Sequence, residues 1–218
     1  YWHAEDQSRA LPVFEGPIVG QFDFAQKAWV FGHGRSASWR QLAWNEKALV
    51  PQWLMPAHEY LDDADAVHKT KLVYMRVGSA TNTRTMIASV VPGFPCVDKT
   101  PVVDLTNGVH PLLGAGVLNS FTYDFVMRVR DGLDFHQVEQ SPVPSVDGLS
   151  ATSITLAAAR LNFAHKLWAP DWLRLRAEYP ELGETPWQRL WAIDDAQRLR
   201  LRCMIDAIVA ELYGLSYD

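Results

Sequence analysis

The chain has 218 residues, 48% of them hydrophobic and 21% charged, enough to bury the core of one large domain or two small ones. No uncharged apolar run is long enough to span a bilayer, so no membrane partner is expected. A net charge of −5 by itself disfavours a polyanionic partner, yet the charge is uneven.

Residues 26–47 hold Lys27, Arg35, Arg40 and Lys47 against Glu46, a local +3. Residues 66–100 hold Lys69, Lys71, Arg76, Arg84 and Lys99 against Asp98, a local +4. Taking both from −5 leaves −12 for the rest of the chain. If the two segments meet in space they form one basic face on an acidic body, which is what phosphate binding needs; otherwise they are ordinary solvated charge. Cys96 and Cys203 are the only cysteines, far apart in sequence, a usage that fits a reducing cytoplasm better than a disulfide framework. The first residue is Tyr1 and no signal-peptide pattern comes after it, so the sequence reads as a piece of a longer protein. Nine tryptophans serve either as large core aromatics or as a binding surface.

In chain order, residues 12–32 read as strands, with glycines at 16, 20, 32 and 34 punctuating apolar residues such as Phe14, Ile18, Phe22 and Phe31. The stretch 32–38 is a polar, glycine-rich loop. Residues 48–50 are extended, and 57–70 loop out, acidic and then basic. Two strands, about 71–76 and 84–91, flank the segment RVGSATNTRT at 76–85. From Pro111 to about Arg130 the apolar spacing is helical, and Phe135 to Val143 reads as a last short strand. Residues 151–168 are an alanine-rich helix stopped by Pro170, with a short helix after it from Asp171 to Glu178. Thr185 is the expected cap of the final helix, Pro186 suits its first turn, and Gly214 fits just past its end. Leu201, Met204, Ile205, Ile208, Val209 and Leu212 give that helix an apolar face, with Arg198 and Arg202 expected on the solvated side.

Catalytic chemistry is hard to find. The seven histidines lack metal-site spacing, and there is no G-x-S-x-G elbow or P-loop. Asp62, Asp63 and Asp65 read as a solvated acidic loop, because the glycine and glutamate of a cation loop are missing. No lysine has an acidic residue two positions earlier, so the carboxylate–ammonium pair of restriction-type nucleases is absent. No Pro-Pro dipeptide exists, so the loop that grips a flipped adenine for N6 methylation is absent too. Asp124 and Arg128 read as a helical ion pair rather than an acid–base couple. We expect no catalytic residue and no metal in this chain.

Five blocks in order carry a family resemblance. Residues 11–23, LPVFEGPIVGQFD, resemble the "LYEG-(K/R)-M-x-x-QFD" segment of type IIG restriction–modification enzymes and BREX-type adenine-specific DNA methyltransferases. Residues 76–92, RVGSATNTRTMIASVVP, resemble their "R-x-x-x-x-TN-x-RT-x-IA" segment ending in proline. Residues 118–125, LNSFTYDF, the stretch SPVP at 141–144, and IDAIVAELYGL at 205–215 look like the next elements of that family, in the same order. Pro17 stands where the family usually has a basic residue, removing any phosphate contact from that position.

The resemblance implies a target recognition region lying C-terminal to a methyltransferase core. That core would bind S-adenosylmethionine, so no cofactor is expected here. Implied partners are double-stranded DNA and the upstream methyltransferase domain, in a cytoplasmic phage-defence enzyme that methylates adenine, with or without cleavage. The expected fold is mixed α/β (α+β): a strand-rich recognition domain at 1–145 and a helical appendage at 146–218. Arginine pairs with guanine or clamps phosphate, asparagine pairs with adenine, and threonine hydroxyls suit phosphate. Thr81, Asn82, Thr83 and Arg84 are assigned to phosphate contact or to scaffold, since the motif recurs among enzymes with different targets. Base readout falls to the regions 32–40 and 68–71. The candidate DNA-binding set is Lys27, His33, Arg35, Arg40, Lys69, Lys71, Arg76, Thr81, Asn82, Thr83 and Arg84. A protein-interaction module using the tryptophans and final helix is the rival, and a small independent enzyme the third reading.

Overall fold

The computed structural model describes residues 8–60, 69–76, 83–105, 109–130 and 135–216. Helices and short antiparallel sheets mix, as expected for an α+β chain. The central sheet has β5 (Lys71–Tyr74) between β6 (Ala88–Val91) and β7 (Val102–Val103), with Leu72 opposite both Val90 and Val103. Leu72, Val73, Tyr74 and all of β6 are buried, which is why these strands read as apolar runs instead of alternating. Helix α2 (Pro111–Leu118) packs on both strands and against α5 (Gly148–Asn162). Its glycines permit that approach: a Cβ on Gly114 would lie 2.6 Å from Leu72 Cδ2, and one on Gly116 2.2 Å from Ile154 Cγ2.

The free edge of β6 is closed by side chains instead of another strand. Asn119, just past α2, accepts from Ala88 N–H at 2.9 Å and donates to Ala88 C=O at 2.8 Å. Asn162, at the end of α5, does the same for Val90 at 2.9 and 2.8 Å and accepts from Ser89 Oγ at 2.9 Å. Asp124 Oδ1, from α3 (Phe121–Val129), accepts from both Thr85 N–H and Met86 N–H at 2.7 Å. Three helices thus supply the hydrogen bonds that a neighbouring strand would have made.

The remaining strands form two pairs: β1 (Ala10–Pro12) with β4 (Leu54–Pro56), and β2 (Lys27–Phe31) with β3 (Ser38–Gln41). A short helix α1 (Ala57–Tyr60) comes directly after β4. The expected last strand at 135–143 is instead α4 (Phe135–Glu139), then a turn; five residues of ambiguous apolar spacing were too short to tell the two apart. Helix α5 ends at Asn162 and not at the expected 168, and Pro170 lies in the first turn of α6 (Ala169–Glu178), so that proline starts a helix instead of stopping one. Helix α7 (Asp195–Leu212) is capped by Asp194, which accepts from Gln197 N–H at 2.8 Å, and not by Thr185. Thr185 and Pro186 precede a separate single turn at Trp187–Leu190. Gly214 lies just past α7 with a φ of +74°, the left-handed position where glycine is favoured.

Arg198 corrects a further expectation. It is 7% exposed, not solvated. Its Nη1 donates to Leu161 C=O at 2.8 Å and Ala192 C=O at 3.0 Å, and its Nη2 to Phe22 C=O at 3.4 Å. The guanidinium carbon lies 4.2 Å from the centre of the Trp44 ring. Burial pulls its pKa down to about 10 despite the favourable charge of Asp23. Arg202 Nη1 reaches Gln21 Oε1 at 3.2 Å. The turn at residues 20–23 is therefore tied to α7, and one apolar core runs from Phe14 to Val209 across residue 145.

Candidate nucleic-acid interface

The β2–β3 hairpin is an exposed element that carries positive charge, with Val30, Phe31, Arg35 and Arg40 all exposed. Its strands pair Lys27 with Gln41, Ala28 with Arg40 and Trp29 with Trp39, and then slip: Val30 is bulged and Phe31 faces Ser38. Its tip is fixed from within. Trp29 Nε1 donates to Gly32 C=O at 2.7 Å, and the Trp29 ring stacks 5.7 Å from His33, which lies 5.2 Å from Trp53. Gly32 has a φ of +76°, and a Cβ there would fall 2.4 Å from Ser36 O. No larger residue closes this turn.

The hairpin forms one wall of a cleft of about 630 Å³, lined among others by Lys27, Arg35, Trp39, Met75 and Lys99. Lys27 and Arg35 come from the first basic segment and Lys99 from the second, so the two segments do meet in space. Arg76 lies beside this group, with Nη1 3.8 Å from Asp98, which also pairs with Lys99 at 3.4 Å. Glu15 is the one carboxylate among the lining residues, and burial pushes its pKa up despite a hydrogen bond from the Gln52 backbone.

The other candidates scatter. Arg40 is exposed and pairs with Glu46 at 2.7 Å; that contact lowers the Glu46 pKa. Lys71 stands at the far end of β5 from Arg76, roughly 16 Å away at the rise of a strand. Its ammonium donates to Phe94 C=O at 3.1 Å and to the Tyr60 hydroxyl, which makes it a strut between segments. Lys69 is exposed over a separate depression bordered by Asp171 and Arg174. Thr81, Asn82 and His68 lie outside the described residues. Thr83 is exposed, and its carbonyl accepts from Arg128 Nη2 at 2.7 Å. Arg84 turns inward, its side chain 12% exposed, with its guanidinium carbon 3.5 Å from the centre of the Phe121 ring and Nη2 3.8 Å from Asp206. Burial lowers its pKa against the pull of Asp206 and Asp124. Arg84 thus holds the approach to β6 against α3 and α7.

No protein-family model and no curated protein matches the chain. Among the described residues no three His, Cys, Asp or Glu side chains group as metal ligands, and no helix is long and apolar enough to cross a membrane. The tryptophans divide between core and surface. Trp168 and Trp172 are buried, the latter donating to Phe163 C=O at 3.0 Å, while Trp53 is exposed beside His33.

Sequence reasoning missed Lys99, Glu15 and Trp39 as members of the cleft. Lys99 was visible in the charge count, but nothing local tied it to residues 27–35. The bond that brings it there is Arg76 N–H to Lys99 C=O at 3.1 Å, a long-range pairing with no signature in either segment.

Proposed function

We propose that this chain recognises duplex DNA as the target region of an adenine-N6 DNA methyltransferase or restriction–modification enzyme, whose S-adenosylmethionine-binding domain lies upstream. The convergence of Lys27, Arg35 and Lys99 on one cleft carries the proposal, because it joins residues of two basic segments, Lys99 lying 72 and 64 positions from Lys27 and Arg35, in an acidic chain. In that arrangement Lys27 and Lys99 act as point charges on phosphates, and Arg35, at the exposed turn, reaches further into a groove. Arg84 and Lys71 support the frame. Presenting an adenine for flipping would then be the joint work of this region and the upstream domain.

A protein-interaction module is favoured by one observation. On α3, Phe121, Phe125 and Val129 recur at helical spacing and are 60%, 67% and 68% exposed. Salt separates the two. Fluorescence anisotropy with a mixed-sequence duplex should show affinity falling steeply with salt, and a Lys27→Ala/Arg35→Ala/Lys99→Ala variant should lower the slope of log K against log salt by about 2 to 3. A slope unchanged in the variant would remove this cleft from the DNA contact. Salt-insensitive binding would favour the interaction module.

A further inference from the structure

We infer that the β2–β3 hairpin enters a groove of the duplex and that Phe31 wedges between two stacked base pairs there. The inference rests on the DNA-binding proposal and adds a deformation to it.

Register supplies the first argument. Paired residues share a face, so Ala28 and Arg40 stand on one side of the ribbon, and Lys27, Trp29, Trp39 and Gln41 on the other. Regular alternation would place Phe31 with Trp29. The bulge at Val30 moves it opposite Ser38, onto the Arg40 face, where it is 64% exposed. Bulges re-aim side chains in this way, and this one turns an aromatic ring from the cleft side to the outside. Exposure of such a ring forgoes the stabilisation that burying it would bring. The ribbon itself is firmly built, by the Trp29–Gly32 bond and the Trp29–His33–Trp53 stack, so the exposed ring sits on a rigid support.

Charge identifies the occupant. Residues 27–41 contain Lys27, Arg35 and Arg40 and no acidic residue. An apolar ring on an acid-free basic ribbon fits a polyanion whose interior is stacked rings better than it fits an average protein surface. Two-stranded ribbons fit DNA grooves, and apolar side chains that enter a base step unstack it and kink the duplex, while neighbouring cations hold the phosphates.

The test uses two duplexes of the same sequence, one carrying a single central mismatch, which is already partly unstacked. Binding is monitored by anisotropy, and bending by energy transfer between dyes at the two ends. The protein should prefer the mismatched duplex by about tenfold and shorten the end-to-end distance of both. Phe31→Ala should bring the preference to within about twofold while leaving the salt slope unchanged, with Phe31→Leu intermediate. Lys27→Ala/Arg35→Ala should weaken both duplexes equally and keep the preference. Equal affinity of the unaltered protein for the two duplexes, or a preference that survives in Phe31→Ala, would overturn the wedge and leave DNA binding standing. No binding to either duplex at low salt would remove DNA binding and the wedge together.

Discussion

The edge of β6 and the β2–β3 hairpin solve opposite problems with similar material. At β6, Asp124, Asn119 and Asn162 arrive from three helices and bond the outward backbone groups of residues 85, 86, 88 and 90. At the hairpin the outward side chains are left unburied: Val30, Phe31 and Arg35 project from a turn held by its own bonds, by Trp53 and by the Trp29 N–H to Val50 C=O bond at 2.9 Å. The fold therefore has the means to seal a strand edge, and uses them on the interior sheet. Where it leaves an aromatic and several cations outside, the proposed duplex would account for the exposure better than a lack of covering chain.

The contrast breaks most visibly at Asn162. Asn162→Ala leaves the Val90 N–H buried without its acceptor, leaves the Val90 C=O with only the Ser89 hydroxyl at 3.3 Å as a side-chain donor, and removes an acceptor from Ser89 Oγ. The expected loss is about 3 to 5 kcal/mol, read as a fall in the urea midpoint at constant m-value. Phe31→Ala, removing a larger side chain, should shift the same midpoint by less than about 0.5 kcal/mol, because the ring is exposed. Similar losses in the two variants would erase the distinction between a sealed interior and an open ribbon.

Arg198 sharpens the interior side of the comparison. Arg198→Met keeps an unbranched apolar side chain but removes the guanidinium over Trp44 and leaves the carbonyls of Leu161 and Ala192 without their donor. A loss of about 2 kcal/mol is expected by chemical denaturation. Arg198→Lys should recover only part of it, since one ammonium cannot span the carbonyls that the planar fork reaches.

Fold class, the strands around 71–91, the helical span 111–130, the presence of α5 and α6, and the glycine after α7 were legible because each rests on local spacing or a terminal residue; the break of that span into α2 and α3 and the end of α5 at Asn162 were not. Arg198 was not legible. Helical periodicity sorts apolar from polar side chains, and it cannot see that three carbonyls from remote segments end where this arginine points. The same limit hid the roles of Asn119 and Asn162, whose partners lie 31 and 72 residues away. At the candidate interface, charge clustering marked Lys27 and Arg35. It also marked Lys71 and Arg84, which the structure uses as struts, because a count of cations does not tell which of them already have carbonyl, hydroxyl or carboxylate neighbours. The turn of Phe31 depends on one bulged residue, and a one-residue slip moves every later side chain of the strand to the opposite face without altering the composition.

Glu15→Gln gives the smallest effect and tests the cleft alone. Burial raises the folded-state pKa of Glu15 above its ordinary value of 4.5, so ionisation opposes folding. The opposition is absent in acid, grows as pH rises from the unfolded carboxylate's range through the folded pKa, and is constant above it. Relative to the unaltered protein, the glutamine variant should therefore gain stability over that rise, by less than about 1 kcal/mol, and hold the gain at neutral pH. If Lys27, Arg35 and Lys99 face phosphates, removing the one carboxylate that lines the cleft should also tighten duplex binding about two- to threefold at low salt. A stability gain without any change in affinity would separate the two effects: Glu15 would still be a desolvated carboxylate, and the cleft would no longer be the place where phosphate sits.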